Sequence, residues 1–289
     1  MSAPNPLPRP GVGVVIATHQ RPALLRLALD AVLSQDYDGA LRVVIVYDGA
    51  EPDMGLAADG PRPVTVLTNT RTRGLAGARN TGIDALCAGD RPVDLVAFCD
   101  DDDQWLPGKL TAQVAALAAH PGAEFVTAAI EVEYADRVHP RRAGTDVVVF
   151  DDLLRSRMSM LHASTFLIRR TALLGAGKDT GIGLVAEDAP GSQNEDYDLL
   201  LRAARRRPIS HVDVPLVRVL WGRSSFFTYQ YQTKIASLQW MLTRHPELAD
   251  CRPGAARLYG QLACWHAADG QRRTAVHWAR RSLRCRWRE

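Results

Sequence analysis

The segment Cys99-Asp100-Asp101-Asp102-Asp103-Gln104-Trp105-Leu106-Pro107 places four consecutive carboxylates at the end of an apolar run, Val93 to Cys99. Like charges this close repel one another and call for a counter-charge. Hard oxygen ligands suit Mg²⁺ or Mn²⁺, and Mg²⁺ is commonly held by one or two carboxylates together with a substrate's phosphates. The same acids could instead form a solvated loop or the acidic start of the helix after Pro107. The run before them reads as a buried strand. Ligands of open α/β sheets collect beyond the carboxyl ends of the strands, which favours the metal reading.

Working outward, Val12 to Ala17, Leu41 to Tyr47 and Val64 to Leu67 are further short, β-branched runs, each a buried strand by pattern. Pro22 opens a helix with Leu24, Leu25, Ala28, Leu29 and Val32 at helical spacing. Gly74 to Leu86 and Pro107 to Ala119 are also helical. Strand, helix, strand, strand, helix, strand, helix predicts an α/β fold with a mostly parallel sheet. Thr18, Asp48 and Asp100 to Asp103 all fall at predicted strand ends. Beyond residue 123 the pattern shortens, with strands at Phe125 to Tyr134, Val147 to Phe150 and Thr165 to Ile168. Gly175 to Asn194 holds five glycines without periodicity and reads as a functional lid. Glu195 to Arg207 is helical, Ile209 to Val219 extended, and three helices are expected from Phe226 onward.

The 289 residues are 46% hydrophobic and 23% charged, enough for a large core and too apolar for a disordered chain. Net charge is +3, but residues 226–289 hold 11 Lys/Arg against 4 Asp/Glu, so a mildly acidic body carries a basic tail. No basic-aromatic groove points to nucleic acid. The five cysteines form no CxxC pair, which predicts a reducing, cytoplasmic setting. Met1 to Gly11 lacks the apolar core of a secretory signal, and no run is long enough to span a membrane. The expected organisation is a lead-in at 1–10, a large domain at 11–225 and a basic helical extension at 226–289.

Two further segments carry chemistry. Arg71-Thr72-Arg73-Gly74-Leu75-Ala76-Gly77-Ala78-Arg79-Asn80 joins close-approach glycines, a helix start and three arginines, which suits a diphosphate. Asn194-Glu195-Asp196-Tyr197-Asp198 opens a helix with acids, either for the helix dipole or to take a proton from an acceptor.

Together these segments resemble the GT-A fold inverting glycosyltransferases of family 2 over about residues 11–225. The resemblance rests on Val14 to Pro22, Tyr47-Asp48-Gly49, Gly77-Ala78-Arg79-Asn80-Thr81-Gly82, Asp100 to Leu110 and Glu195 to Asp198. It implies a nucleoside-diphosphate sugar as donor, a hydroxyl acceptor and a Mn²⁺ or Mg²⁺ ion. It implies that Thr18 and Asp48 line the base pocket, that Arg73 or Arg79 faces the base or diphosphate, and that Asp100 and Asp101 contact the donor. Asp102 would bind the metal and Asp196 would be the general base, with Glu195 and Trp221 near the sugar or acceptor and Trp105 either walling the sugar site or packed as a core tryptophan. Tyr47 stands where the family has an acid, and Leu220-Trp221 follow Arg218-Val219 where many members carry a histidine. His162, just before the strand expected at Thr165, reads as structural or as a residue facing the acceptor.

A sugar-phosphate nucleotidyltransferase is the nearest rival enzyme, but it would carry its glycine loop after the first strand, where Ala17-Thr18-His19-Gln20 has none. An inactive GT-A-like module docking through its basic tail is the rival of another class. The tail itself reads as packed helices, as one tetratricopeptide-like hairpin near Leu262 to Ala275, or as a peripheral membrane contact through a basic last helix, Gln271 to Trp287.

Overall fold

The computed structural model describes residues 9–89, 91–134, 137–175, 180–220 and 230–286. Strands β1 (Val12–Thr18), β2 (Leu41–Tyr47), β3 (Val64–Thr68) and β4 (Leu95–Asp100) lie parallel in the order β3-β2-β1-β4. Helices α1 (Pro22–Leu33) and α2 (Leu75–Cys87) make two of the crossovers. Strand alternation divides the core. Val14 and Ile16 pack with Leu25 and Leu29 of α1, while Val15 and Ala17 pack with Ile83 and Leu86 of α2. Each fully buried Val, Leu or Ile among these is worth about 1.5–3 kcal/mol relative to exposure. Helix α2 sits against the sheet because it carries glycines there: a Cβ on Gly82 would lie 2.4 Å from the Val15 side chain.

The sheet continues through β9 (Leu167–Arg169), antiparallel between β4 and β6 (Phe125–Tyr134), to β10 (Ile209–Leu220), which runs parallel to β6. Short β5 (Asp103–Trp105) closes the path antiparallel to β10, and β7 (Arg137–Arg141) and β8 (Val147–Val148) flank β6 and β10. Strands β1, β2, β3, β4, β6 and β10 of this ten-stranded sheet therefore run one way, which is the mostly parallel α/β fold the sequence predicts. Helices α3 (Lys109–Ala119), α4 (Phe150–Arg155), α5 (Arg170–Leu174) and α6 (Glu195–Arg206) cover it. The strand expected at Val147 to Phe150 stops at Val148, and Phe150 already opens α4.

Two expectations change. The segment 180–194 is no free lid among its described residues. Asn80 exchanges hydrogen bonds with the Val185 backbone at 2.8 and 3.0 Å, and Arg202 reaches the carbonyls of Ile182, Gly183 and Leu184. Glu187 accepts from Arg71, Asn80 and the Thr72 N–H, which against its desolvation hold its carboxyl down at about 2. The tail holds four helices rather than three among described residues: α7 (Tyr231–Arg244), α8 (Glu247–Asp250), α9 (Arg252–Ala268) and α10 (Arg272–Arg286). Ile235, Leu238 and Met241 of α7 and Leu258 and Leu262 of α9 share one core with Tyr197 and Leu200 of α6. Helices α9 and α10 form a hairpin around Gly270, whose φ of 80° favours glycine.

One buried lysine sets a pH dependence. Lys109 is fully buried, donates to Gln113 Oε1 at 2.7 Å and lies 3.8 Å from the centre of the Trp105 ring. Burial pushes its pKa from 10.5 down to about 7. The unfolded chain keeps that proton up to its ordinary value, so stability rises with pH between about 7 and 10.5. In Lys109→Met the wild-type slope, about 1.4 kcal/mol per pH unit for this group, should vanish from urea unfolding curves compared across pH 7 to 9.5. Equal slopes in both proteins would refute a neutral folded Lys109.

Candidate active site

The carboxyl ends of β1, β2 and β4 meet at one edge of the sheet, and the acidic cluster sorts there into distinct roles. Thr18 Oγ1 donates to Asp101 Oδ2 at 2.7 Å, and the His19 N–H adds a longer bond. Arg21 then bridges Asp101 and Asp102. Burial raises the Asp101 carboxyl despite Thr18 and Arg21. Burial and the neighbouring Asp100 and Asp103 push Asp102 up to about 6, against the pull of Arg21. Asp102, expected to hold the metal, is thus engaged by an arginine. Arg21 stands three residues beyond the end of β1, inside the Val14 to Pro22 stretch, and no sequence signal gives it this role.

Asp103 turns the other way and is buried. Ser164, itself fully buried, accepts from the Asp100 N–H at 2.9 Å and donates to Asp103 Oδ2 at 2.5 Å. His162 Nδ1 lies 3.1 Å from the same Asp103 oxygen. Among the described residues, Asp100, Asp103 and His162 offer three ligand atoms all within 4.8 Å of one another. Two carboxylates and an imidazole form a donor set that suits Mn²⁺. Desolvation alone would lower the His162 pKa, but Asp103 outweighs it and pushes it up to about 9, so a proton is the counter-charge when no cation is bound. His162 thus belongs to the acidic cluster. It arrives from the turn before β9, far away in sequence, and no spacing betrays it.

Asp48 ties the loops together. Its carboxylate accepts from Asn69 Nδ2 at 2.7 Å and from the Gly74 N–H at 2.9 Å, while its carbonyl meets His19 Nδ1 at 2.6 Å. Arg73 is exposed and lies over the Asp48-Gly49 turn, its guanidinium about 3 Å from where a Gly49 Cβ would stand. Thr18, Asp48 and Arg73 thus line one end of the edge. Arg79 does not join them. It is 2% exposed, and its two terminal nitrogens bind Asp100 Oδ1 at 2.5 Å and Glu195 Oε1 at 2.7 Å. Expected at the base or diphosphate, it instead clamps β4 to α6.

Helix α6 begins at Asn194, in the left-handed region at φ 63°. Its side chain donates to Ser237 of α7 at 2.7 Å, and Ser237 donates to the Gln193 carbonyl at 2.7 Å. Glu195 is buried, and desolvation and Asp196 push it up to about 7 against the pull of Arg79. Asp196 Oδ2 accepts from Arg157 at 2.5 Å and Oδ1 from the Tyr197 N–H at 2.7 Å. Desolvation opposes these partners, but Arg157, Arg79 and His162 outweigh it and lower the Asp196 pKa. Arg157, just beyond α4, is a second residue with no sequence signal. Asp198 is fully buried and accepts from Arg202, Arg244 and His245 at 2.7–2.9 Å.

Asp100, Arg79, Glu195 and Asp196 line a cleft of about 340 Å³, with Lys234 of α7 and Trp265 of α9 completing its wall. Trp105 lies apart from it, 3% exposed in the core below Lys109. Trp221 falls outside the described residues.

Residues 13–174 match the family described as Glycosyl transferase family 2. An uncharacterized glycosyltransferase of Haemophilus influenzae is 26% identical over 115 residues, 40% of this chain and 37% of the relative, so the match spans little over a third of that protein. The fold is shared with S. aureus TarS 1-349 in complex with UDP-GlcNAc (TM-score 0.61, 16% identity, 93% of this chain and 89% of that one). It is shared too with the mannosyltransferase PcManGT from Pyrobaculum calidifontis in complex with GDP-Man and Mn²⁺ (TM-score 0.58, 18% identity, 92% and 76%). The acidic strand end, the Gly/Arg loop and His162 all lie inside the matched span, Glu195 and Asp196 beyond it. Over more than half its length, and with the α/β fold of GT-A enzymes around it, the chain belongs to glycosyl transferase family 2.

Proposed function

We propose that the protein is a metal-dependent inverting glycosyltransferase that moves a sugar from a nucleoside-diphosphate donor to an acceptor hydroxyl. The observation that supports this is the shared cleft of Asp100, at the acidic strand end, and the Glu195-Asp196 pair. In this reading Thr18, Asp48, Arg73 and Asp101 hold the nucleotide end. Asp196, kept ionised by Arg157, accepts the proton of the acceptor hydroxyl. The acceptor oxygen forms its bond to the anomeric carbon as the bond to the diphosphate breaks on the opposite face. The nucleoside diphosphate leaves and the anomeric centre inverts. One carboxylate base suffices, without a covalent nucleophile. Asp100, Asp103 and His162 would hold Mn²⁺ or Mg²⁺, which when bound neutralises charge on the leaving diphosphate.

The test is donor turnover. UDP-, GDP- and dTDP-sugars, with and without Mn²⁺, are screened for release of nucleoside diphosphate; UDP-GlcNAc and GDP-Man come first because they occupy the two similar folds. No release and no metal-dependent nucleotide binding across the panel would reject the proposal.

His162 must shed its proton to ligate a metal. Mn²⁺ affinity, read from the free-ion EPR signal, should therefore rise up to about tenfold per pH unit below pH 9 and lose most of that dependence in His162→Ala. A pH-independent affinity would remove His162 from the ligand set.

The five free cysteines fit a cytoplasmic setting. Exposed Val276 and Leu283 of α10 lie among Arg272, Arg273, Arg280 and Arg284 on a helix without acids, the face a peripheral contact with anionic membrane would use. Flotation with anionic and neutral vesicles tests it, and equal, negligible binding to both would reject it.

A further inference from the structure

We infer that α7 and α9 build a carbohydrate subsite into the cleft, and that the acceptor bound there is a pyranose laid on the face of Trp265 with its hydroxyls toward Lys234 and Asp196. This rests on the transferase reading above and adds to it the chemical class of the acceptor.

The cleft is separate from the proposed nucleotide end. Thr18, Asp48, Arg73 and Asp101, the nucleotide end of the proposed site, do not line it. The donor's base and ribose are thus accommodated elsewhere, and the cleft is left for the reacting sugar and its acceptor. Asp196, the proton acceptor of that reading, lines the cleft, so the groups sharing its wall face the acceptor. Two of these, Lys234 and Trp265, come from the C-terminal helices, beyond the span that matches the family.

Their chemistry selects a sugar. Trp265 is half-buried and packs on the core, so its indole is a fixed apolar surface. The C–H bonds on one face of a pyranose carry small positive charges that suit the negative face of an aromatic ring. Lys234 Nζ lies over that ring, 5.7 Å from its centre, and brings hydrogen-bond donors to the same side of it. Gln193, Asn194 and Asp196 add amide and carboxylate groups around the same cleft. One apolar plane bordered by donors and acceptors matches a polyhydroxylated ring. A lipid chain would desolvate these polar groups and offer them no hydrogen bond in return. The subsite is braced, since Ser237 of α7 holds both Asn194 and Gln193.

The experiment uses full-length protein labelled with 5-fluorotryptophan, the Trp265 resonance being assigned by its loss in Trp265→Phe. Methyl pyranosides of glucose, galactose, mannose and N-acetylglucosamine are titrated to tens of millimolar with UDP or GDP and Mn²⁺ present. At least one should shift the Trp265 resonance saturably. In Lys234→Met, with the other indole resonances in place, half-saturation for that sugar should need at least fivefold more ligand. No shift with any pyranoside would overturn the subsite, as would a shift that Lys234→Met leaves unchanged. Pyranoside binding without any nucleotide binding would overturn the donor reading and leave the subsite standing, so the two failures are distinguishable.

Discussion

Asp196→Asn should lower sugar transfer by about 10²- to 10⁴-fold, the usual loss when a general base is removed, while nucleoside-diphosphate binding persists. The side chains are nearly the same size, and the amide oxygen can still accept the 2.7 Å bond from the Tyr197 N–H. What disappears is the capacity to take a proton. Arg157 loses its ionic partner, but its side chain is 27% exposed and water can solvate it, so the melting temperature should move by only a few degrees. The decisive comparison is single-turnover transfer against nucleotide affinity in the same preparation. Transfer within tenfold of wild type would assign the proton to another group, with Glu195 the first to examine because it is raised to about 7 and shares the cleft.

The second large effect belongs to Arg79. Its 2%-exposed guanidinium holds Asp100 and Glu195 together, and Arg79→Met would leave two carboxylates without their cation. Breaking a buried pair in this way costs about 3–5 kcal/mol. Lysine should rescue little, because one ammonium cannot reproduce a fork that reaches two acids on separate elements. The loss should also depend on pH. Glu195 is raised to about 7, so at pH 5 it is protonated in wild type and variant alike, and its ion pair is absent from both. At pH 8 wild type has the pair and the variant does not. Urea unfolding at the two pH values should therefore show a larger deficit at pH 8, and a deficit below about 1 kcal/mol there would refute the clamp.

These groups also mark what sequence could reveal. Strands β1 to β4 and helices α1 to α3 were legible because each is a continuous apolar run or a helical stripe between turn signals. The acids at their ends were legible because topology assigns ligands to strand ends. The resemblance gave candidate roles to Asp48, the Asp100 to Asp103 cluster and Glu195-Asp196. Side-chain direction was not legible. In Asp101-Asp102-Asp103 adjacent carboxylates part company, two toward Arg21 and one toward Ser164 and His162, and that division depends on residues from distant segments. Arg79 looked like a diphosphate ligand because charge was visible while burial was not. The glycine-rich 180–194 segment looked like a lid because its partners, Asn80 and Arg202, stand elsewhere in the chain.

Asp198 carries a consequence for modularity. Its buried carboxylate takes Arg202 from its own helix but Arg244 and His245 from the end of α7 and the residue after it. Together they outweigh desolvation and hold its pKa low. Two residues upstream on the same helix stands the proposed base. The helix that carries the proposed base is therefore anchored by α7 and the residue after it, in the C-terminal helical part of the chain. Natural shuffling of donor and acceptor halves, or a graft by the protein engineer, could not exchange the C-terminal helices as a detachable specificity cassette without also rebuilding this counter-ion set. Acceptor preference in such a protein would drift by point changes within a fixed frame, and recombination across residue 225 would tend to yield inactive hybrids.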